Sequence, residues 1–272
     1  MSEKLKSLVL RTVSRGLNLE VVGLQMNTQV LLMLFMTSLC SATVSVAKVS
    51  ATDSILVQTQ ARITHAHELL GRGYNKSAVK MSEETIDMNP FVKALTRKFL
   101  SKKYKKSSAK IAKEIVQVAD RYGFDPVFLI AVIQNESSFN PNRLGSAGEI
   151  GLMQIKPATA EWIADIYDID YENSKSLLDP VMNIRLGAAL LDKLRHQFDS
   201  ESRLYVSAYN IGAKKTRSLV NDKKTPKEYV VAVMKRYFAI YSAFKVAGDW
   251  TSRGEIAFNH TRSLTQKKIL TN

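Results

Sequence analysis

Three times in this chain a capping residue stands directly before proline at the head of an apolar period: Asp125-Pro126, Asp179-Pro180 and Thr225-Pro226-Lys227-Glu228. An N-cap oxygen accepts a backbone N–H that has no intrahelical partner, and first-turn proline lacks an N–H that would go unpaired. The third string is also a capping box, because Glu228 can reach back to the N-cap amide. Each therefore predicts a helix start. Behind Asp179 run Val181, Ile184, Ala188, Leu191 and Leu194, and behind Thr225 run Val230, Val233, Met234 and Tyr237. Ser107 or Ser108 caps an earlier helix carrying Ile111, Ile115, Val118, Ala119 and Tyr122, which Gly123 ends. Residues 158–167 and 202–209 also read as helices, and no run of strands alternates between them. The expectation is an all-α domain of about 140 residues, ending near Phe244. Upstream, helical stretches are expected over 54–70 and 90–100.

The helix behind Asp125-Pro126 carries the chemistry. Residues 127–133 are apolar without a break, and Glu136 follows in the string Glu136-Ser137-Ser138-Phe139-Asn140-Pro141. Leu129, Val132, Ile133 and Glu136 fall at i, i+3, i+4 and i+7, so a continued helix places the carboxyl on its apolar face. Desolvation raises a carboxyl pKa, and a carboxylic acid still protonated near neutrality can act as a general acid. On spacing alone, a solvated carboxylate at a fraying helix end remains the alternative.

The 272 residues and 45% hydrophobic content suffice for one well-buried domain with appendages, or two small domains. The net charge of +14 suits a polyanionic partner such as nucleic acid, an anionic membrane or a cell-wall polymer. From Lys93 to Lys113 there are nine Lys/Arg and no acid. No zinc ligand set, RNA motif or basic zipper accompanies that cluster, so it reads as a solvated linker or helix face and nucleic acid is not the expected partner. The single cysteine, Cys40, excludes an intramolecular disulfide. It lies in the uncharged segment 30–47, which reads as a secretory signal with small-residue cleavage sites, or as one uncleaved membrane anchor. His65, His67, His196 and His260 show no ligand spacing; they are expected on the surface or on helix faces, with no metal and no cofactor.

Three more strings follow Glu136: Gly151-Leu152-Met153-Gln154-Ile155, Ala208-Tyr209-Asn210-Ile211-Gly212 and Tyr229-Val230. Together, in this order and spacing, they resemble the lytic transglycosylases of the soluble-lytic-transglycosylase (SLT) type, relatives of goose-type lysozyme. The resemblance covers about residues 107–245. It implies a lysozyme-like domain over 107–246. By composition and pattern, a targeting segment over 1–47 and a helical extension over 48–106 precede it, and a polar tail over 247–272 follows. The resemblance implies an exported, periplasmic or envelope enzyme, free of cofactor, that cleaves the β-1,4 bond between N-acetylmuramic acid and N-acetylglucosamine in peptidoglycan and leaves 1,6-anhydro ends. An inner-membrane association through segment 30–47 goes with it. Glu136 is implied as acid and then base. Ser137, Ser146, Met153, Gln154, Tyr209, Asn210 and Tyr229 are implied in substrate binding, with Tyr209 orienting the carboxyl or the substrate N-acetyl group. The alternatives are a hydrolytic muramidase on the same fold and a non-catalytic peptidoglycan-binding envelope module. Two departures stand out: Gly145 replaces the first of two small hydroxyl residues, and Glu149 stands where a small residue is common. The sharpened expectation is a buried carboxyl with Tyr209 and Gln154 nearby and no second carboxylate at nucleophile distance.

Overall fold

A computed structural model describes residues 59–81, 88–224 and 227–246. The targeting segment, Cys40, His260, the polar tail and the first two residues of the 225–228 capping box lie outside the described residues. The described residues all fall within one compact unit, 55–272.

Nine longer helices make up the described architecture: α1 (59–70), α2 (Met88–Phe99), α3 (Ser108–Tyr122), α4 (Pro126–Ser137), α5 (Pro157–Tyr167), α6 (Pro180–Gln197), α7 (Ser202–Ile211), α8 (Ala213–Asn221) and α9 (Glu228–Val246). The all-α expectation holds among the described residues, where extended pairing is confined to the isolated bridges Leu144↔Ile150 and Ile150↔Ile155. No described helix is long and apolar enough to cross a membrane.

The two Asp-Pro starts behave as the sequence predicts. Asp125 Oδ1 accepts the Val127 N–H at 2.8 Å, and Asp179 Oδ1 accepts those of Val181 and Met182 at 2.7 and 3.1 Å. Gly123 closes α3 with φ 65°. Ser107 precedes α3 but makes no side-chain cap, and Ser108 Oγ instead donates to the Lys105 carbonyl. Helix α8 was not foreseen. Its sequence, AKKTRSLVN, is polar on average with few apolar positions, and it packs on α7 immediately after Gly212.

Helix α4 sits at the centre. Its residues 126–133 are all buried, so the apolar run faces packing partners on every side rather than on one stripe. Those partners are α2, α3 and α9. The helices upstream of residue 107 thus share one core with the rest: Phe91, Val92 and Leu95 of α2 are buried in it.

The polar joints of this core involve α1. His65, expected on a surface or helix face, is fully buried. Its Nδ1 accepts the Asp125 backbone N–H at 3.0 Å, which leaves Nε2 as the protonated nitrogen, donating to Tyr205 OH at 3.0 Å. Its ring meets Phe124 and Phe128 edge-on. Asp125 Oδ2 accepts both Tyr237 OH and Tyr241 OH at 2.7 Å. Glu68 pairs with Arg195 of α6, whose guanidinium also donates to the Tyr122 carbonyl.

Candidate active site

Glu136 occupies the last turn of α4. There Ser138 and Phe139 take left-handed φ values of 51° and 60°, which stop the helix and turn the chain away. Such values in non-glycine residues need support from packing. Phe139 supplies it: the side chain is buried and lies 5.3 Å, ring to ring, from Phe99 at the end of α2. Helix α2, in the stretch read as an extension, thereby fixes the turn that presents the carboxyl.

Glu136 lines a cleft of about 630 Å³ walled by the 143–156 loop, α5, α6, α7 and the start of α8. Burial pushes its carboxyl up to about 7; a hydrogen bond from Tyr229 works against this, and the charge of Glu149 adds to it. The Tyr229 hydroxyl, from the first turn of α9, donates a short hydrogen bond to Glu136 Oε1. Burial, and after it the charge on Glu136, holds the Tyr229 phenol well above its ordinary range. It therefore serves as a donor and not as a base.

The 143–156 loop is pinned from below. Asn183 of α6 accepts the Met153 N–H at 2.7 Å and donates to the carbonyls of Ile150 and Leu177 at 2.8 and 3.0 Å. Gly151, with φ 84°, lies so close to Asn183 and the Leu177 carbonyl that a methyl group there would collide with both. Gly187 on α6 leaves the space that the Met153 side chain fills. Neither Asn183 nor Gly187 was singled out from the sequence. The available signal was a polar residue and a glycine inside the apolar period of α6.

The implied site residues divide by place. Glu136, Ser146, Gln154, Tyr209 and Asn210 line the cleft. Tyr229 reaches it through Glu136. The Ser137 hydroxyl is buried and donates back to the Ile133 carbonyl at 3.2 Å, a local helix-end bond. The Met153 side chain is fully buried against α6, so at the cleft Met153 offers backbone rather than thioether. Its carbonyl accepts the Tyr209 hydroxyl at 2.8 Å. The phenol resting on the carboxyl is thus that of Tyr229, while Tyr209 ties α7 to the loop. Gln154 spends both amide hydrogens on loop carbonyls, Arg143 at 3.1 Å and Gly151 at 2.9 Å. Arg143, Lys156, Thr159 and Trp162 also line the cleft and were not anticipated. Trp162 is an exposed aromatic on α5. Glu149 lines it too, as a second carboxylate of this cleft. Among the described residues no cluster of three or more potential metal ligands occurs.

Residues 114–231 match the family model of the transglycosylase SLT domain. The chain is similar to the membrane-bound lytic murein transglycosylase C of Histophilus somni, 37% identical over 110 residues, spanning 36% of this chain and 30% of the relative. It is also similar to the membrane-bound lytic murein transglycosylase F of Desulfosudis oleivorans, 39% identical over 104 residues, spanning 36% of this chain and 21% of the relative. The chain therefore spans a third or less of the length of these two curated relatives. Among solved structures, an inactive mutant of the lytic transglycosylase Slt from Pseudomonas aeruginosa aligns at TM-score 0.46 and 23% identity, covering 70% of this chain and 37% of that one.

Proposed function

We propose that this protein is a peptidoglycan lytic transglycosylase of the cell envelope. It cleaves the bond between N-acetylmuramic acid and N-acetylglucosamine and leaves a 1,6-anhydro ring. The observation that carries this reading is Glu136: a carboxyl raised to about 7, held by a tyrosine donor, at the wall of an open cleft within the stretch that matches the SLT domain model.

Glu136 starts protonated. It gives its proton to the glycosidic oxygen as the bond to C1 breaks, and positive charge spreads over C1 and the ring oxygen. The ionised Glu136 then takes the proton of the C6 hydroxyl as that oxygen bonds to C1. The ring closes and the carboxyl is protonated again, so no water is consumed. A group that is acid and then base needs a pKa near the working pH, which burial provides here. Tyr229 keeps the carboxyl aimed in both steps. The net charge of +14 suits an anionic wall, and segment 30–47 suits export or anchoring at the membrane.

Glu149 supports a second reading, hydrolysis by a muramidase, because another carboxylate shares the cleft. Digestion of purified sacculi followed by mass spectrometry separates the two. Transglycosylation gives anhydro-muramyl ends, one water lighter than the reducing ends that hydrolysis gives. Glu136→Gln is expected to lower release at least roughly 1000-fold, since the amide can neither donate nor accept the proton. Release at the wild-type rate by this variant would overturn the proposal.

A further inference from the structure

Glu149 and Gly145 face each other across a loop that walls the cleft, and a side chain on Gly145 would displace the Glu149 carboxylate from its present place. A methyl group on Gly145 would collide with the Glu149 carboxylate and lie 2.9 Å from Gln154 Oε1. The Gly145 N–H donates to the Glu149 carbonyl at 2.8 Å, so the pair is also tied through the backbone. The acid is fixed rather than waving in solvent: Oε2 accepts the Ala147 N–H at 3.0 Å and Oε1 lies 3.4 Å from Lys156 Nζ. Its own backbone and that of Ala147, followed by Lys156, hold it below the usual carboxylate range, so it is ionised at neutral pH. Lys156 is half exposed, and its charge is accordingly screened by water.

We propose that Glu149 is a positioning residue of this cleft: a fixed anion, given room by Gly145, that keeps the proton on Glu136 until the glycosidic oxygen takes it. The inference rests on the transglycosylase reading of Glu136. Both carboxyls line one cleft, and one ionised carboxylate makes loss of a proton from its neighbour less favourable. The same fixed charge stabilises the positive charge that grows on the sugar. Among the described residues, Tyr229 from α9 and Tyr209 from α7 also act electrostatically with Glu136, and Arg143 and Lys156 line the same cleft.

The experiment is the pH profile of anhydro-muropeptide release from sacculi by Glu149→Gln and Lys156→Ala, with Glu136→Gln as reference. In wild type the alkaline limb reports loss of the Glu136 proton. Glu149→Gln keeps the side-chain shape and removes the charge, so the limb moves to lower pH by roughly half a unit or more. Lys156→Ala removes the cation that masks Glu149, so the limb moves to higher pH. A structural role for the Glu149–Lys156 pair would instead lower release in both variants with the limb in place. Unmoved limbs, or limbs moving the same way, overturn the inference. Should either variant be too weakly active to profile, 13C NMR titration of the Glu136 carboxyl in the same protein reads the shift directly. Failure of the underlying reading looks different: Glu136→Gln would remain lytic.

Discussion

Tyr229 shows how much one hydroxyl does in this cleft. It donates to Glu136 Oε1 and opposes the rise that burial imposes on that carboxyl. Tyr229→Phe keeps the ring in place and removes the donor. The alkaline limb of the activity profile should then move to higher pH, because the ionised carboxylate loses its hydrogen bond. The maximal rate should fall roughly 10–100-fold, because the carboxyl is no longer aimed. Rate measurements from pH 5 to 9 check both, and a limb moving downward would remove Tyr229 from this role. At this scale the sequence was informative about Glu136, and its resemblance offered both Tyr209 and Tyr229 but assigned the orienting role to Tyr209, whereas Tyr229 makes the hydrogen bond. Helical spacing places a carboxyl on an apolar face. Which of two tyrosines reaches it depends on the approach of α7 and α9, and no local pattern encodes that.

At the scale of the element, α1 behaves as part of the core. His65 links it to the head of α4 and to α7, while Glu68 links it to α6. Burial, assisted by the Arg195 charge, drives the His65 imidazole well below its ordinary 6.5, so the folded state needs it neutral. Its contribution is complete above about pH 6.5 and declines as pH falls below that value, where the unfolded chain takes up a proton and the folded one does not. His65→Ala should cost about 2–4 kcal/mol at pH 7.5, through two lost hydrogen bonds and a cavity beside Phe124 and Phe128. The gap to wild type should narrow on going to pH 5. Urea denaturation at the two pH values measures this, and a gap that widens would refute the tautomer assigned here. The sequence showed His65 only as half of a pair without ligand spacing. Its burial could not be read there, because α1 looks amphipathic by itself and its partners lie 60 and 140 residues away.

For the whole molecule, the SLT match begins at residue 114, yet the core does not. Phe91, Val92 and Leu95 of α2 and Ala66 of α1 are buried with residues of α3 to α9, and Phe99 backs the turn after Glu136. A 107–246 fragment should therefore unfold without a cooperative transition and lack lytic activity, whereas 55–246 should show one sharp transition. Calorimetry of the two fragments decides it, and a cooperative 107–246 would make the upstream helices a true appendage. The two Asp-Pro helix starts, the apolar centre of α4 and the position of Glu136 were legible in the sequence, because caps, prolines and apolar periods act over one or two turns. The pairing of Glu149 with Gly145, the hold of Tyr229 on Glu136 and the membership of α1 and α2 in the core were decided by tertiary structure alone. Each depends on groups distant along the chain meeting at short range, where burial and charge act and where sequence spacing carries no information.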